Sequence, residues 1–258
     1  MRRSSLARFA FLDHPLPLAF AHRGGAGDWP ENTMPAFEAA VALGYRHLET
    51  DVHVTSDGVL LAFHDESLDR VTDRAGLIRD QTWSEVRRAR VGGREPIVVF
   101  EDLLSAWPDV CFNVDPKHDG AVDALAAAIG KAHAVDRVCI GSFSDRRIAR
   151  LRGLLGSRLC TSMGPAAAAR LRAASFGLPA GRFRSPCVQV PPRRGTRDLV
   201  DERFVGAAHQ RGLQVHVWTI DEPEEMNRLL DLGVDGIMTD RPAVLKDTLR
   251  ARGRWHGR

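Results

Sequence analysis

No stretch of this 258-residue chain approaches the ~20 consecutive apolar residues that cross a bilayer, so no transmembrane segment is expected. Met1-Arg2-Arg3-Ser4-Ser5 opens in the manner of a secretory leader. Arg8, Asp13 and His14, however, interrupt the roughly 7–15 apolar residues that a leader needs, and a cytoplasmic protein is the expectation. No amphipathic segment of the kind that lies on membranes stands out either. Charge of one sign is scarce as well. The formal net charge is only +3, with a pI near 8.9, too little excess to point to nucleic acid and no obstacle to an anionic substrate. The basic cluster Arg193-Arg194 with Arg197 reads as a solvated loop. Cysteine is sparse, and none of Cys111, Cys139, Cys160 and Cys187 forms a C-x-x-C pair. Each falls near the start of a predicted strand, as small buried core residues do.

What is present is a repeating alternation of short β-rich runs and amphipathic stretches. The predicted strands cover 18–21, 47–54, 110–114, 137–140, 158–161, 187–190, 214–219 and 236–239. Helical patterns lie between them at 32–42, 121–134, 145–155, 165–174, 198–211 and 224–232. Gly44, Gly156, Gly212 and Gly233 each follow a helical run and precede a strand, the position of a helix stop. Such alternation implies a parallel sheet, and eight strands in about 250 residues suit a closed (β/α)8 TIM barrel. A doubly wound open sheet loses ground, because His22-Arg23-Gly24-Gly25 after the first strand is not G-x-G-x-x-G. The expectation is one domain over about 16–250. Residues 65–96 break the rhythm with many charges and a weak helical pattern near 83–90. They read as a small insertion after the second strand, too short for a core of its own.

In such a barrel, catalytic groups stand at the C-terminal ends of the strands. Those ends carry His22-Arg23, Glu49-x-Asp51-x-His53 and Asp115-x-Lys117, with Trp218 and Asp240 later. Glu49, Asp51 and His53 alternate along one strand and so share a face. Two carboxylates on one face repel unless a cation lies between them, and hard cations such as Mg2+ or Ca2+ take oxygen ligands. Ser56-Asp57-Gly58 reads as the turn of a hairpin. A two-residue Asp57-Gly58 loop would set Asp51 opposite His64, beside the carboxylates. His22 ends the first strand, and Gly24, Gly25 and Gly27 after it would let a ligand approach the backbone. Two histidines at a metal site can divide general-acid and general-base work near neutral pH. Arg23 and Lys117 could hold phosphate oxygens.

His22-Arg23-Gly24, Pro30-Glu31-Asn32-Thr33, Glu49-x-Asp51-Val52, Thr55-x-Asp57-Gly58, His64-Asp65 and Leu68-Asp69-Arg70 together resemble the motifs of the glycerophosphodiester phosphodiesterase family. Gly233-Val234-Asp235-Gly236-Ile237-x-Thr239-Asp240 extends the resemblance towards the C-terminus. It implies a (β/α)8 barrel with a small insertion, and hydrolysis of a small-molecule glycerophosphodiester to sn-glycerol 3-phosphate and an alcohol. By position it makes His22 and His64 the acid–base pair and Glu49, Asp51 and Asp115 the ligands of Mg2+ or Ca2+. Arg23 and Lys117 would neutralise the phosphate, and Trp218 would wall the pocket. The family's third-strand pattern is Asn-x-Glu-x-Lys, whereas this chain has Asn113-Val114-Asp115-Pro116-Lys117, one methylene shorter at the ligand. The nucleophile is either a hydroxyl of the substrate's own glycerol or water. A lysophospholipase D-type activity would use the same centre with an apolar groove at its mouth. A non-catalytic phosphate-binding barrel would have been signalled by loss of His22, His64 or Glu49, all of which are present.

Overall fold

The computed structural model describes residues 9–257; the leader-like residues 1–5 fall outside this range. Eight parallel strands form the barrel among the described residues. They are β1 (Leu18–Ala21), β2 (His47–Val54), β3 (Cys111–Pro116), β4 (Val138–Ile140), β5 (Cys160–Thr161), β6 (Cys187–Val190), β7 (Gln214–Val217) and β8 (Gly236–Thr239). Neighbours follow chain order, and β8 returns to β1 through Leu18↔Gly236 to Ala21↔Thr239. The seam between β5 and β6 is closed by a single bridge, Ser162↔Cys187, and by Met163 N donating to Cys187 O at 3.0 Å. There the Ser162 hydroxyl accepts from Gln189 N at 3.0 Å, so a side chain takes over where the ladder thins.

One helix follows each strand: α1 (Met34–Ala42), α2 (Phe100–Ala106), α3 (Ala121–Lys131), α4 (Asp145–Leu155), α5 (Pro165–Ala174), α6 (Glu202–His209), α7 (Pro223–Asp231) and α8 (Pro242–Ala251). Four of them, α1, α5, α7 and α8, carry proline in the first turn, where its missing N–H leaves no bond unmade. Ser144 and Asp201 cap α4 and α6 by accepting from Arg147 N and Phe204 N.

The period-2 alternation of the strands divides the core in two. Leu48, Val52, Phe112, Val114, Ile140, Val188, Val215 and Ile237 point outward and pack beneath the helices. Leu18, Phe20, Met238 and all four cysteines point inward and fill the floor of the barrel. Phe9, Phe11 and Leu12 seal this floor from below, on a 3-10 turn at Ala10–Leu12. That turn is tied to the barrel by the His47 ring, which donates to Phe11 O at 3.0 Å, and by Gln214, which donates to Leu12 O at 3.4 Å. A buried Phe contributes roughly 1.5–3 kcal/mol relative to an exposed one, so the plug stabilises the closed end.

One sequence expectation, the hairpin register, is corrected here. The hairpin after β2 pairs Val52 with Ala62 and Val54 with Leu60, so Asp51 lies opposite Phe63 and not His64. Its loop has three residues rather than two. Thr55 N donates to Val59 O at 3.0 Å, Gly58 N donates to Thr55 O at 3.1 Å, and Gly58 stands at φ +90° as the third loop residue. The glycines after His22 are also demanded by the protein's own packing. A Cβ on Gly24 would meet Ala36 Cβ at 2.9 Å, and one on Gly25 would meet Pro242 Cγ at 2.6 Å. They allow the β1–α1 turn to nest between α1 and the start of α8.

The segment after the hairpin carries a short helix at Trp83–Val86 with a Thr82/Glu85 capping box. It was expected to lack a core. In the structure Leu68, Ile78, Val86, Ala89, Val91 and Ile97 are buried against Leu61 and Phe63 of the hairpin, so the segment completes a small cluster with two hairpin side chains.

Candidate active site

The C-terminal ends of the strands open into a cleft of about 1280 Å³. His22, Arg23, Glu49, Asp51, His64, Asp115, Lys117 and Trp218 all line it, so the structure brings every candidate residue to one site. His53 stands apart from the cleft. Its Nε2 donates to His64 O at 3.1 Å and its ring lies against His118 at 5.3 Å.

Register explains the carboxylates. Glu49 pairs with Asn113 and Asp51 with Asp115 across β2 and β3, so Asp51 and Asp115 stand at one level on adjacent strands. Lys117, two residues beyond Asp115, shares its face. Its ammonium reaches Asp51 Oδ1 at 2.7 Å and Asp115 Oδ2 at 3.0 Å. Pro116 is the last residue of β3, where a missing N–H breaks no ladder bond.

His22 sits in a turn at the end of β1. Its Nδ1 meets Asp240 Oδ1 at 2.7 Å, and its Nε2 is 3.7 Å from Glu49 Oε2. Burial alone would lower its pKa, but Glu49 and Asp240 together outweigh burial and raise it. Arg23, in the left-handed region at φ 51°, donates its backbone N–H to Glu49 Oε2 at 3.2 Å and its Nη1 to Glu31 Oε1 at 3.0 Å. His64 is held by Asp65, whose Oδ1 is 2.6 Å from Nδ1. Arg70 in turn grips both Asp65 and Glu31 with paired bonds of 2.6–3.0 Å.

The charges at the centre do not balance. Glu49, Asp51 and Asp115 are 5%, 2% and 9% exposed, against the two cations Arg23 and Lys117. Burial, reinforced by Asp51, pushes the Glu49 carboxyl up to about 7, and burial also raises Asp115. Asp51 Oδ2 and Asp115 Oδ1 are buried with no hydrogen-bond partner, as is Arg23 Nε, although it lies 3.3 Å from Asp51 Oδ2. Orphaned carboxylate oxygens beside a carboxyl driven towards neutrality are the signature of a missing positive charge. The residues therefore fit a hard divalent cation. The three carboxylates do not close to within 4.8 Å of one another as a set, and the Lys117 ammonium bonds both Asp51 and Asp115.

The supporting residues were harder to read from sequence. Glu31, Asp65 and Arg70 lie inside motifs, but their mutual bonding is a tertiary fact. Of the far wall of the cleft, the sequence points to Trp218 alone. That wall is apolar, built by Phe143, Met163, Phe176, Leu199, Phe204 and Trp218 from separate loops and helices. Phe143 and Phe176 are 69% and 58% exposed, and Phe143 meets the Trp218 ring edge-on at 5.8 Å.

A parallel (β/α)8 barrel with histidines, carboxylates and basic side chains at its C-terminal mouth defines a barrel hydrolase of phosphoric diesters. The chain belongs to the glycerophosphoryl diester phosphodiesterase family, whose sequence model matches residues 22–244. It is 42% identical over 253 residues to a Mycobacterium tuberculosis protein named "Probable glycerophosphodiester phosphodiesterase 2", covering 96% of each chain. It is 31% identical over 260 residues to the glycerophosphodiester phosphodiesterase of Caldanaerobacter subterraneus subsp. tengcongensis, covering 92% of this chain and 99% of that one. Its fold superposes with a TM-score of 0.75 on the crystal structure of glycerophosphodiester phosphodiesterase from Agrobacterium tumefaciens, at 23% identity over 89% of this chain and 99% of that one. Among the described residues, no helix is long and apolar enough to cross a membrane.

Proposed function

We propose that this enzyme hydrolyses glycerophosphodiesters to sn-glycerol 3-phosphate and an alcohol, using a divalent cation held by Glu49, Asp51 and Asp115. The observation that carries the reading is the charge deficit around those carboxylates, with two buried oxygens lacking a hydrogen-bond partner. Bound there, Mg2+ or Ca2+ supplies Lewis-acid polarisation of a phosphoryl oxygen. Arg23 offers a planar fork to the phosphate and Lys117 a point charge. His22, with Nδ1 fixed by Asp240, keeps Nε2 on the cleft side for proton transfer. His64, with Nδ1 fixed by Asp65, does likewise. One imidazole takes the proton of the nucleophile, a glycerol hydroxyl or water, and the other returns a proton to the leaving alcohol.

The apolar far wall favours a second reading for the same centre. A lysophospholipid could lay its acyl chain along Phe143, Phe176 and Trp218 while its phosphate met Arg23 and Lys117, giving lysophospholipase D-type cleavage. A product assay over glycerophosphocholine, glycerophosphoethanolamine, glycerophosphoglycerol and glycerophosphoinositol, with lysophosphatidylcholine alongside, separates the two. Chelation should abolish turnover, and Mg2+, Mn2+ or Ca2+ should restore it. Full activity in metal-stripped, chelator-treated enzyme would remove the cation from the mechanism.

A further inference from the structure

Three of the four cysteines converge below the cleft. Cys139, Cys160 and Cys187 rise from the inner faces of the consecutive strands β4, β5 and β6. Cys139 is the register partner of Cys160, and Cys187 faces Ser162 across the seam. Their Sγ atoms all lie within 4.8 Å of one another, and the residues are 0%, 1% and 0% exposed. Packing alone would put any small apolar side chain here. Three mutually contacting sulfurs, shielded from water by Phe9, Phe11 and Leu12, make a more specific environment.

Burial raises the Cys139 and Cys160 thiols well above the usual thiol value, while their hydrogen bonds to the Cys187 sulfur hold that one well below it. The trio is thus held together by its own sulfur contacts, and two of its protons must leave when a metal binds. Arg152 on α4 bonds to Thr161 Oγ1 and, at 2.6 Å, to Ser185 Oγ, so a guanidinium is fixed close to Cys160 and Cys187 in the chain. The adjacent His216 is fully buried but has both ring nitrogens engaged, Nε2 with Gln214 Oε1 at 2.9 Å and Nδ1 with Gln189 Nε2 at 3.4 Å. The donor set is therefore three sulfurs.

We infer that Cys139, Cys160 and Cys187 form a three-sulfur site in the barrel floor for a thiophilic d10 cation, Cu(I) being the best match. Soft thiolates select such metals over Mg2+ or Ca2+, which take oxygen. Structural Zn2+ takes four ligands, and among the described residues the group that closes here has three. With metal–sulfur bonds of about 2.3 Å, a trigonal site sets its sulfurs about 4 Å apart, within small side-chain adjustments of the observed triangle. Binding exchanges thiol protons for the metal, so it strengthens as pH rises.

The test is an anaerobic titration of the reduced full-length protein with Cu(I) buffered by a competing chelator, both on folded protein and during refolding from denaturant. One equivalent per chain is expected by at least one route, with thiolate-to-copper charge-transfer absorption and an X-ray absorption spectrum fitted by three sulfurs. Cys139→Ser, Cys160→Ser and Cys187→Ser should each weaken binding by about 100-fold or more, since even an outer partner costs about 10–100-fold. The corresponding alanine variants, checked for a parental circular dichroism spectrum, separate a lost ligand from a buried hydroxyl that disturbs folding. Cys111→Ser should bind like the parent, because Cys111 lies in the neighbouring group with His14 and His47. Three results would each overturn the site. They are no Cu(I) captured by either route, nitrogen in the coordination shell, and binding lost in Cys111→Ser but kept in Cys187→Ser.

Discussion

His22 and His64 reach the cleft from different elements, yet each has its Nδ1 fixed by a carboxylate, Asp240 or Asp65. That shared arrangement orients both Nε2 atoms and argues for paired proton transfer. His22→Ala and His64→Ala should each lower kcat by roughly 10²–10⁴-fold, with less than additive loss in the double variant. His53→Ala is the internal control. Its ring bonds the His64 carbonyl and lies against the His118 ring, outside the cleft lining, so a smaller loss is expected in the same steady-state assay. A His53→Ala enzyme slower than His64→Ala would reverse the assignment. Asp115 tests the third carboxylate. Its Oδ1 is orphaned and its Oδ2 is held by Lys117, so Asp115→Asn keeps the shape but removes the charge. Metal titration of turnover should show strongly weakened affinity for Asp115→Asn and substantial activity for Asp115→Glu, which restores the missing methylene. If Asp115→Asn titrates like the parent, Asp115 is no ligand.

At the level of elements, the insertion matters through one side chain. Arg70 bonds Glu31 of the β1–α1 loop and Asp65 beside His64, completing a chain Arg23–Glu31–Arg70–Asp65–His64. Asp65, chiefly through Arg70, is held down to about 2. Removing the guanidinium leaves two carboxylates facing each other and loosens the group that orients His64. Arg70→Ala should therefore lower kcat about 10-fold, less than the roughly 10²–10⁴-fold of losing the acid or base itself. The pair is half exposed, and surface ion pairs are worth only about 0–1 kcal/mol, so thermal unfolding should barely move. Lysine at this position should rescue only in part, lacking the double fork. An unchanged kcat would reduce the clamp to decoration. The same elements mark where sequence reading stops. β1, β2, β6 and β8 were legible residue for residue, because their β-branched and apolar runs end at clear turn signals. The hairpin register slipped by one, since Asp57-Gly58 fits both a two-residue turn and the end of a three-residue loop. His64 still reaches the cleft, placed there by the loop and Asp65 rather than by strand pairing. Short α2 has too few turns to show a period, and α8 hides behind the proline that starts it. The convergence of the cysteines and of the apolar wall comes from strands and loops far apart in the chain, so no local pattern announces either.

Across the whole molecule, the barrel interior is split between a charged mouth and an apolar floor, and the floor contains a histidine. His47 is 2% exposed and donates to Phe11 O, joining β2 to the plug. Burial drives its pKa from the ordinary 6.5 down to about 3, with the nearby His14, His216 and Arg46 adding to the effect. A lowered folded-state pKa means that the unfolded chain binds the extra proton between about pH 6.5 and pH 3. The stability due to neutral His47 is thus complete above about 6.5 and is lost as pH falls through that window, by up to about 1.4 kcal/mol per pH unit. Glu49 acts in the opposite sense, because its raised carboxyl takes up a proton in the folded state below about 7. The net acid profile of the parent therefore hides both effects, and the informative quantity is a difference. His47→Gln keeps a donor for Phe11 O but cannot titrate, while Glu49 is common to both proteins and drops out. Denaturant unfolding in chelator at pH 7.5, 6 and 5 should show the parent's advantage over His47→Gln shrinking by about 2 kcal/mol between pH 7.5 and 5. A gap that stays constant with pH would mean that His47 is not held neutral, and that the plug is not sealed against water at this histidine.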